Sequence, residues 1–181
     1  MPDRPRDLAG YGRTPPRANW PGEARVAVSF VLNYEEGAER TPLNGDAVSE
    51  TYLGEIMGEP RATRDWNTES IYEFGTRVGV WRVLDAFAEH HQPLTMFACG
   101  QAAELTPDPV RAAAEAGHEI CSHGYRWFDY EGMPEDEERD HIRRTIAALE
   151  AAGGTRPVGW YTGRVSEHTR RLVVEEGGFL Y

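Results

Sequence analysis

Residues 26–37 read VAVSFVLNYEEG, and the fold of the chain turns on how they are read. Apolar residues alternate and cluster from Val26 to Leu32, with β-branched valine at 26, 28 and 31. A short apolar run of that composition predicts a buried strand of a parallel or barrel sheet. The strand runs directly into Asn33-Tyr34-Glu35-Glu36-Gly37. The C-terminal ends of parallel strands are where α/β folds present catalytic acids and bases. Glu35 and Glu36 therefore read either as a solvated acidic turn or as the start of an active site.

Downstream, the hydrophobic pattern alternates between two periods. Residues 38–72 form a long irregular insert with scattered aromatics Tyr52, Trp66 and Tyr72. A stretch of that length is usually functional, as a lid or pocket wall. From Gly75 the pattern turns helical, with Val80, Leu84, Phe87 and Ala88 on one stripe, His90 and His91 in the last turn, and Pro93 as the stop. Leu94–Ala98 reads as the next strand. Thr106 and Pro107 read as an N-cap and first helical residue, with Gly117 as the C-terminal stop. His118–Ser122 is a third strand. Pro134 and the acidic run Glu135–Glu138 open a helix with apolar positions Ile142, Ile146 and Leu149, closed by Gly153-Gly154. Pro157–Trp160 reads as a fourth strand, Ser166 as the cap of a last helix ending at Gly177, and Phe179–Tyr181 as the start of a fifth strand. This β-α alternation predicts an α/β fold, a parallel sheet covered by helices.

The domain plan is an extended arm over residues 1–24, rich in proline and arginine, followed by one domain over residues 25–181. The chain stops one turn into an apolar strand, which predicts that it is the N-terminal portion of a longer barrel. A net charge of -11 argues against nucleic acid or an anionic membrane as partner. The polar start of the chain has no apolar leader, and no segment is long and apolar enough to span a bilayer, so a cytoplasmic location is expected. The two cysteines, Cys99 and Cys121, read as buried free thiols, with a disulfide left open by spacing alone.

Three segments fall at strand C-termini: Asn33–Gly37, Ser122–Trp127 (SHGYRW) and Trp160–Arg164 (WYTGR). Together they offer carboxylates, an imidazole, two guanidinium groups and several aromatic rings. That mixture suits a small, flat, polar substrate that is stacked, hydrogen-bonded and attacked.

FVLNYEEG, GHEICSHGYRW and RPVGWYTGR, in this order, resemble the three motifs of the polysaccharide deacetylase (chitin deacetylase-like) family. In that family the first motif ends in two aspartates, a general base and a metal ligand, and the second holds two metal-binding histidines four residues apart. Here Glu35 and Glu36 stand in place of the aspartates, His123 is kept, and the second imidazole's position is Trp127. The third motif replaces the family's arginine-proline pattern with Tyr161, Thr162 and Gly163. A catalytic divalent ion takes about three protein ligands, and an indole nitrogen donates a proton but cannot ligate. His90, His91, His118, His141 and His168 read as structural or solvated.

With these departures the chain is similar to the metal-independent allantoinase branch of the family, through RDLAGYG, WPGEARVAV, NYEEGAE, ESIYEFGTRVGVWR, SHGYRW and GWYTGR. The resemblance covers essentially the whole chain. It implies a distorted (β/α) barrel, incomplete in this chain. The implied enzyme opens the hydantoin ring of allantoin to allantoate, usually as a homo-oligomer, with a small-molecule substrate and no cofactor. Glu35, or Glu36, would take a proton from water, crowding of the two carboxylates raising the pKa of one. His123 would protonate the leaving nitrogen or polarise the carbonyl. Arg126 and Arg164 would stabilise the oxyanion, and Trp127, Trp160 and Tyr161 would pack against the ring. Plainer roles stand beside these: Trp127 as packing, Arg126 paired with Asp129, and Arg164 solvated ahead of the last helix. The alternative functions are a metal-dependent polysaccharide N-deacetylase holding zinc through Glu36 and His123, or an inactive or non-catalytic module.

Overall fold

The structure, a computed structural model, describes residues 7–52 and 58–181. Residues 1–6 of the expected arm and residues 53–57 of the insert lie outside them. Three strands, β1 (Val31–Tyr34), β2 (Thr95–Ala98) and β3 (Glu119–Ser122), form a parallel sheet in the order β1-β2-β3. The helices are α1 (Trp66–Phe74), α2 (Val80–Glu89), α3 (Gly100–Leu105), α4 (Asp108–Glu115), α5 (Glu135–Gly153) and α6 (Thr169–Glu176). The fold is α/β with an open parallel sheet among the described residues. No helix among them is long and apolar enough to cross a membrane.

The register places Leu32, Met96 and Ile120 side by side, and Tyr34, Ala98 and Ser122 one pleat further on. These six residues share one face of the sheet, since side chains alternate along a strand. On this face Tyr34, Met96 and Ala98 join Leu84, Leu94, Val110, Ala113, Leu149 and Ala152 in the main core, and Leu32 and Ile120 pack against it. The other face carries Val31, Asn33, Thr95, Phe97, Glu119 and Cys121. Both cysteines are buried and free.

The opening strand is shorter and less buried than its sequence predicts. It begins at Val31, and Val26, Val28 and Val31 are exposed. Ahead of Val31, Thr95 N donates to the Phe30 carbonyl, the one ladder-like contact to the sheet among the described residues. Val31 itself lies on the face that the helices leave uncovered. The fourth predicted strand is reduced to a single parallel bridge between Ser122 and Trp160. The fifth is extended chain without a ladder, joined through Leu180 N to the Val158 carbonyl and Trp160 N to the Tyr181 carbonyl.

The stretch read as irregular holds a 3-10 turn at Pro42–Asn44, and inside it the first α-helix starts at Trp66. Asp65 caps it, its Oδ1 accepting from Asn67 N and Thr68 N at 3.1 Å. A π-helical segment, Gly75–Gly79, joins α1 to α2. Gly75 is there for room: a Cβ on it would come within 3.0 Å of three atoms of the Glu36 side chain. The short α3 is an element that the apolar pattern does not announce. Its C-cap is Thr106, so α4 starts at Asp108 behind Pro107, not at Pro107 behind Thr106. Ser166 does act at the start of the last helix, accepting from His168 N at 2.9 Å, although α6 itself begins at Thr169.

Candidate active site

Register sets the site. Tyr34, Ala98, Ser122 and Trp160 are linked in a row across the sheet. The next residues, Glu35, Cys99, His123 and Tyr161, therefore leave their strands at one level. Among them Glu35 and His123 are both buried, and Glu35 Oε1 lies 2.8 Å from His123 Nε2. The other ring nitrogen, Nδ1, lies 2.7 Å from the Tyr161 carbonyl oxygen. A carbonyl oxygen only accepts, so Nδ1 carries a proton, and the pair Nε2–Oε1 holds one more between them. The imidazole is stacked within 2° of parallel to the Tyr161 ring at 5.7 Å, and Phe97 of β2 stacks against both rings. The ring is thus held at both nitrogens and on its face.

The loop after β3 is tied down group by group. Gly124 turns it in the left-handed region, at φ +83°. The first amides of α3, at Gly100 and Gln101, donate to the Gly124 and Tyr125 carbonyls, and Trp127 N donates to the Ala38 carbonyl. The buried Tyr130 hydroxyl accepts from Tyr125 N at 3.1 Å and Arg126 N at 3.2 Å. It donates to His141 Nδ1 at 3.0 Å. Burial holds the His141 imidazole down at about 4, with the nearby Arg144 charge acting in the same direction.

A cavity of about 480 Å³ opens beside the pair, lined by Asn33, Glu35, Tyr52, His123, Trp127, Tyr161 and Arg164 among others. The Arg164 guanidinium lies 3.9 Å from the Trp127 ring centroid and 5.5 Å from that of Tyr52. Its nearest carboxylate is Glu50, at 3.7 Å. Among the described residues the Arg164 side chain makes no hydrogen bond, so its N–H groups are available to a ligand oxygen.

Of the predicted site residues, Glu36 and Trp160 turn away from this cavity and Arg126 lines it with its guanidinium already paired. Glu36 points away from the pair and lines a second cavity with Glu39, Thr41, Glu69, Tyr72 and Thr76. Alternation explains this: neighbouring side chains at a strand end leave on opposite sides. Glu36 Oε2 accepts from Glu35 N at 3.0 Å. Its carboxyl is raised above the usual range first by burial and only to a lesser degree by the charge of Glu35. Arg126 lines the main cavity but is occupied, donating to the carbonyls of Ala38 and Glu39 and to Asp46 Oδ2 at 2.6 Å. Its partner is Asp46, not Asp129, and its work is to hold residues 38–46 against the loop. Trp160 turns to the opposite side from Tyr161 and packs against Phe179 and the Ile142, Ile146 and Leu172 cluster.

Asn33, Tyr52, Phe128, Thr162 and Gly163 line the cavity without having been among the predicted site residues, and Glu50 lies beside Arg164. For Asn33 the signal was present, because it sits two residues before Glu35 and so on the same side. The zinc alternative needs Glu36 and His123 on one ion, and these two face different cavities. Among the described residues no three His, Cys, Asp or Glu side chains converge. The residues of this site therefore do not fit a catalytic divalent ion, which takes about three protein ligands.

Comparison with known proteins shows the family. The polysaccharide deacetylase family pattern matches residues 69–178. The solved structure of PuuE allantoinase superposes with a TM-score of 0.90 at 56% identity, covering 99% of this chain and 60% of that one. A Pseudomonas aeruginosa PAO1 protein named for the polysaccharide deacetylase family gives a TM-score of 0.90 at 55% identity, over 98% of this chain and 60% of that one. A Schizosaccharomyces pombe protein named for the same family is 45% identical over 176 residues, 94% of this chain and 55% of its own length. This chain thus spans little more than half the length of these relatives.

Proposed function

This chain belongs to the polysaccharide deacetylase family, and from that premise we propose that it is a hydrolase of a cyclic amide, opening the hydantoin ring of allantoin to allantoate without a metal. The observation that carries the proposal is the Glu35–His123 pair, an acid–base couple at 2.8 Å in a cavity where, among the described residues, no three metal-ligating side chains converge. The similarity to PuuE allantoinase over nearly the whole chain supports the choice of substrate.

In the proposed reaction Glu35 takes a proton from a water molecule as its oxygen bonds to a ring carbonyl carbon. The carbonyl π pair moves onto the carbonyl oxygen, where Arg164 supplies the N–H donors. The oxyanion's pair then re-forms the C=O bond as the C–N bond breaks, and the C–N pair goes to the ring nitrogen, which receives a proton from the Glu35–His123 pair. The new carboxylic acid ionises and leaves as carboxylate. Water is consumed, and the pair ends in the protonation state in which it began. Trp127 and Tyr161 form aromatic walls for a flat ring, and Trp160 supports the fold from behind.

The proposal includes the cytoplasm as compartment, purine catabolism as setting and a homo-oligomer as the working form. These rest on the sequence resemblance alone. Allantoin hydrolysis by the full-length protein, with Glu35→Gln and His123→Ala alongside, tests the reading. Turnover lost in both variants supports it, and a wild-type protein inert towards allantoin rejects it.

A further inference from the structure

We propose that Asn33 is a positioning residue for Glu35, selecting which carboxylate oxygen acts as the base; the proposal rests on the hydrolysis described above. Asn33 Nδ2 donates to Glu35 Oε1 at 2.9 Å, and His123 Nε2 meets the same oxygen at 2.8 Å. Glu35 Oε2 accepts no hydrogen bond among the described residues. Both constraints therefore fall on one oxygen, and the other is left for the water.

Such an arrangement solves a geometric problem. A carboxylate held by a single hydrogen bond swivels about its terminal torsion, which is broad and roughly two-fold, and either oxygen can turn to the substrate. Two donors from different strand ends define the plane of the group. Asn33 lies on β1, in register with Phe97 of β2. Phe97 in turn stacks on the His123 ring at 5.8 Å. The two groups that meet Oε1 thus come from β1 and from the end of β3, the strands that flank β2 in one sheet, and the ladders through β2 fix their separation. Asn33 itself is exposed and outside the core, so its packing contributes little to stability and its amide is free to serve the site. Its orientation follows from the acceptor it meets, because only the amide nitrogen has protons to give.

The test is steady-state kinetics on the full-length protein with Asn33→Leu, Asn33→Asp and Asn33→Gln. Leu has nearly the shape of Asn and cannot donate; Asp cannot donate while ionised and sets a second carboxylate beside Glu35; Gln keeps an N–H on a longer arm. Loss of orientation at a general base predicts a fall in kcat of about tenfold or more for the Leu and Asp variants, with KM within about threefold. Asn33→Gln is expected to recover most of that loss, and all three are expected to melt with the wild type. A kcat within about twofold of wild type in the Leu and Asp variants, or a loss confined to KM, overturns the proposal. If the wild type does not hydrolyse allantoin at all, the hydrolysis reading is what has failed. Crystal structures of the wild type and Asn33→Leu then decide the positioning claim on their own. A Glu35 carboxylate rotated off His123 in the variant sustains it, and a carboxylate unmoved overturns it.

Discussion

Replacing Tyr130 by phenylalanine removes one oxygen from a buried position and leaves the ring in place. That oxygen serves three partners: it accepts from Tyr125 N and Arg126 N and donates to His141 Nδ1. Because phenylalanine fills the same volume, no cavity term arises, and the change isolates hydrogen bonding. A buried amide left without a partner costs about 1–3 kcal/mol. Two such amides, eased by some relaxation of the loop, make the expected loss about 3 kcal/mol. For a domain of this size that corresponds to a fall in Tm of roughly 6–12 °C. Urea unfolding of the full-length protein followed by circular dichroism measures it, with the slope m expected to stay constant. The loop also carries Trp127 and the Arg126 strap to Asp46, so turnover is expected to fall with stability. A loss under about 1 kcal/mol would mean that water replaces the phenol oxygen, and that the loop is held mainly by its other contacts.

Two further outcomes follow from where the titratable groups lie. Glu36→Gln keeps an acceptor for Glu35 N and removes a charge whose carboxyl burial pushes up. A raised carboxyl means that stability is lost as pH rises through its ionisation, so this variant is expected to be at least as stable as wild type at pH 7. Its kcat is expected to stay within about threefold, whereas Glu35→Gln loses about a hundredfold or more; in an allantoin assay a larger loss in Glu36→Gln than in Glu35→Gln would reverse the roles given to the two glutamates, and equal losses would remove the distinction. His141 stays neutral down to about 4 in the fold against an ordinary value of 6.5. Between those limits the unfolded chain binds the proton and the native chain does not, so stability falls as pH drops from about 6.5 towards 4, by at most about 3 kcal/mol from this group. His141→Gln is expected to flatten that limb in urea titrations at pH 7 and pH 4.5, and parallel curves would show that the limb belongs to other groups.

The sequence carried the frame of the fold where a residue type has one physical meaning. Pro134 with the acids behind it, and Gly154 past the last turn, bracket α5 because the helix dipole and the left-handed cap admit few substitutes. The apolar runs ending at Ala98 and Ser122 located β2 and β3. The start of α1 was hidden, since Asp65 caps a helix with Trp66, Ile71 and Phe74 exposed and no apolar stripe to mark it. That Glu35, His123 and Tyr161 would come together at one cavity was legible because each follows a strand at the same level. Glu36 and Trp160 were grouped with them for want of strict alternation: each sits one residue from a side chain that lines this cavity and so turns to the opposite side. The role of Arg126 was not legible locally, because its acceptors at Ala38, Glu39 and Asp46 come from a distant part of the chain and meet it only in the fold.

The central claim is that a carboxylate and an imidazole suffice here, with an indole standing where a second metal-binding imidazole would be. Allantoin turnover by the full-length protein after exhaustive dialysis against a strong chelator tests this most directly. The account predicts an unchanged kcat and no gain when zinc is returned. Activity that disappears on chelation and comes back with one equivalent of zinc would contradict it.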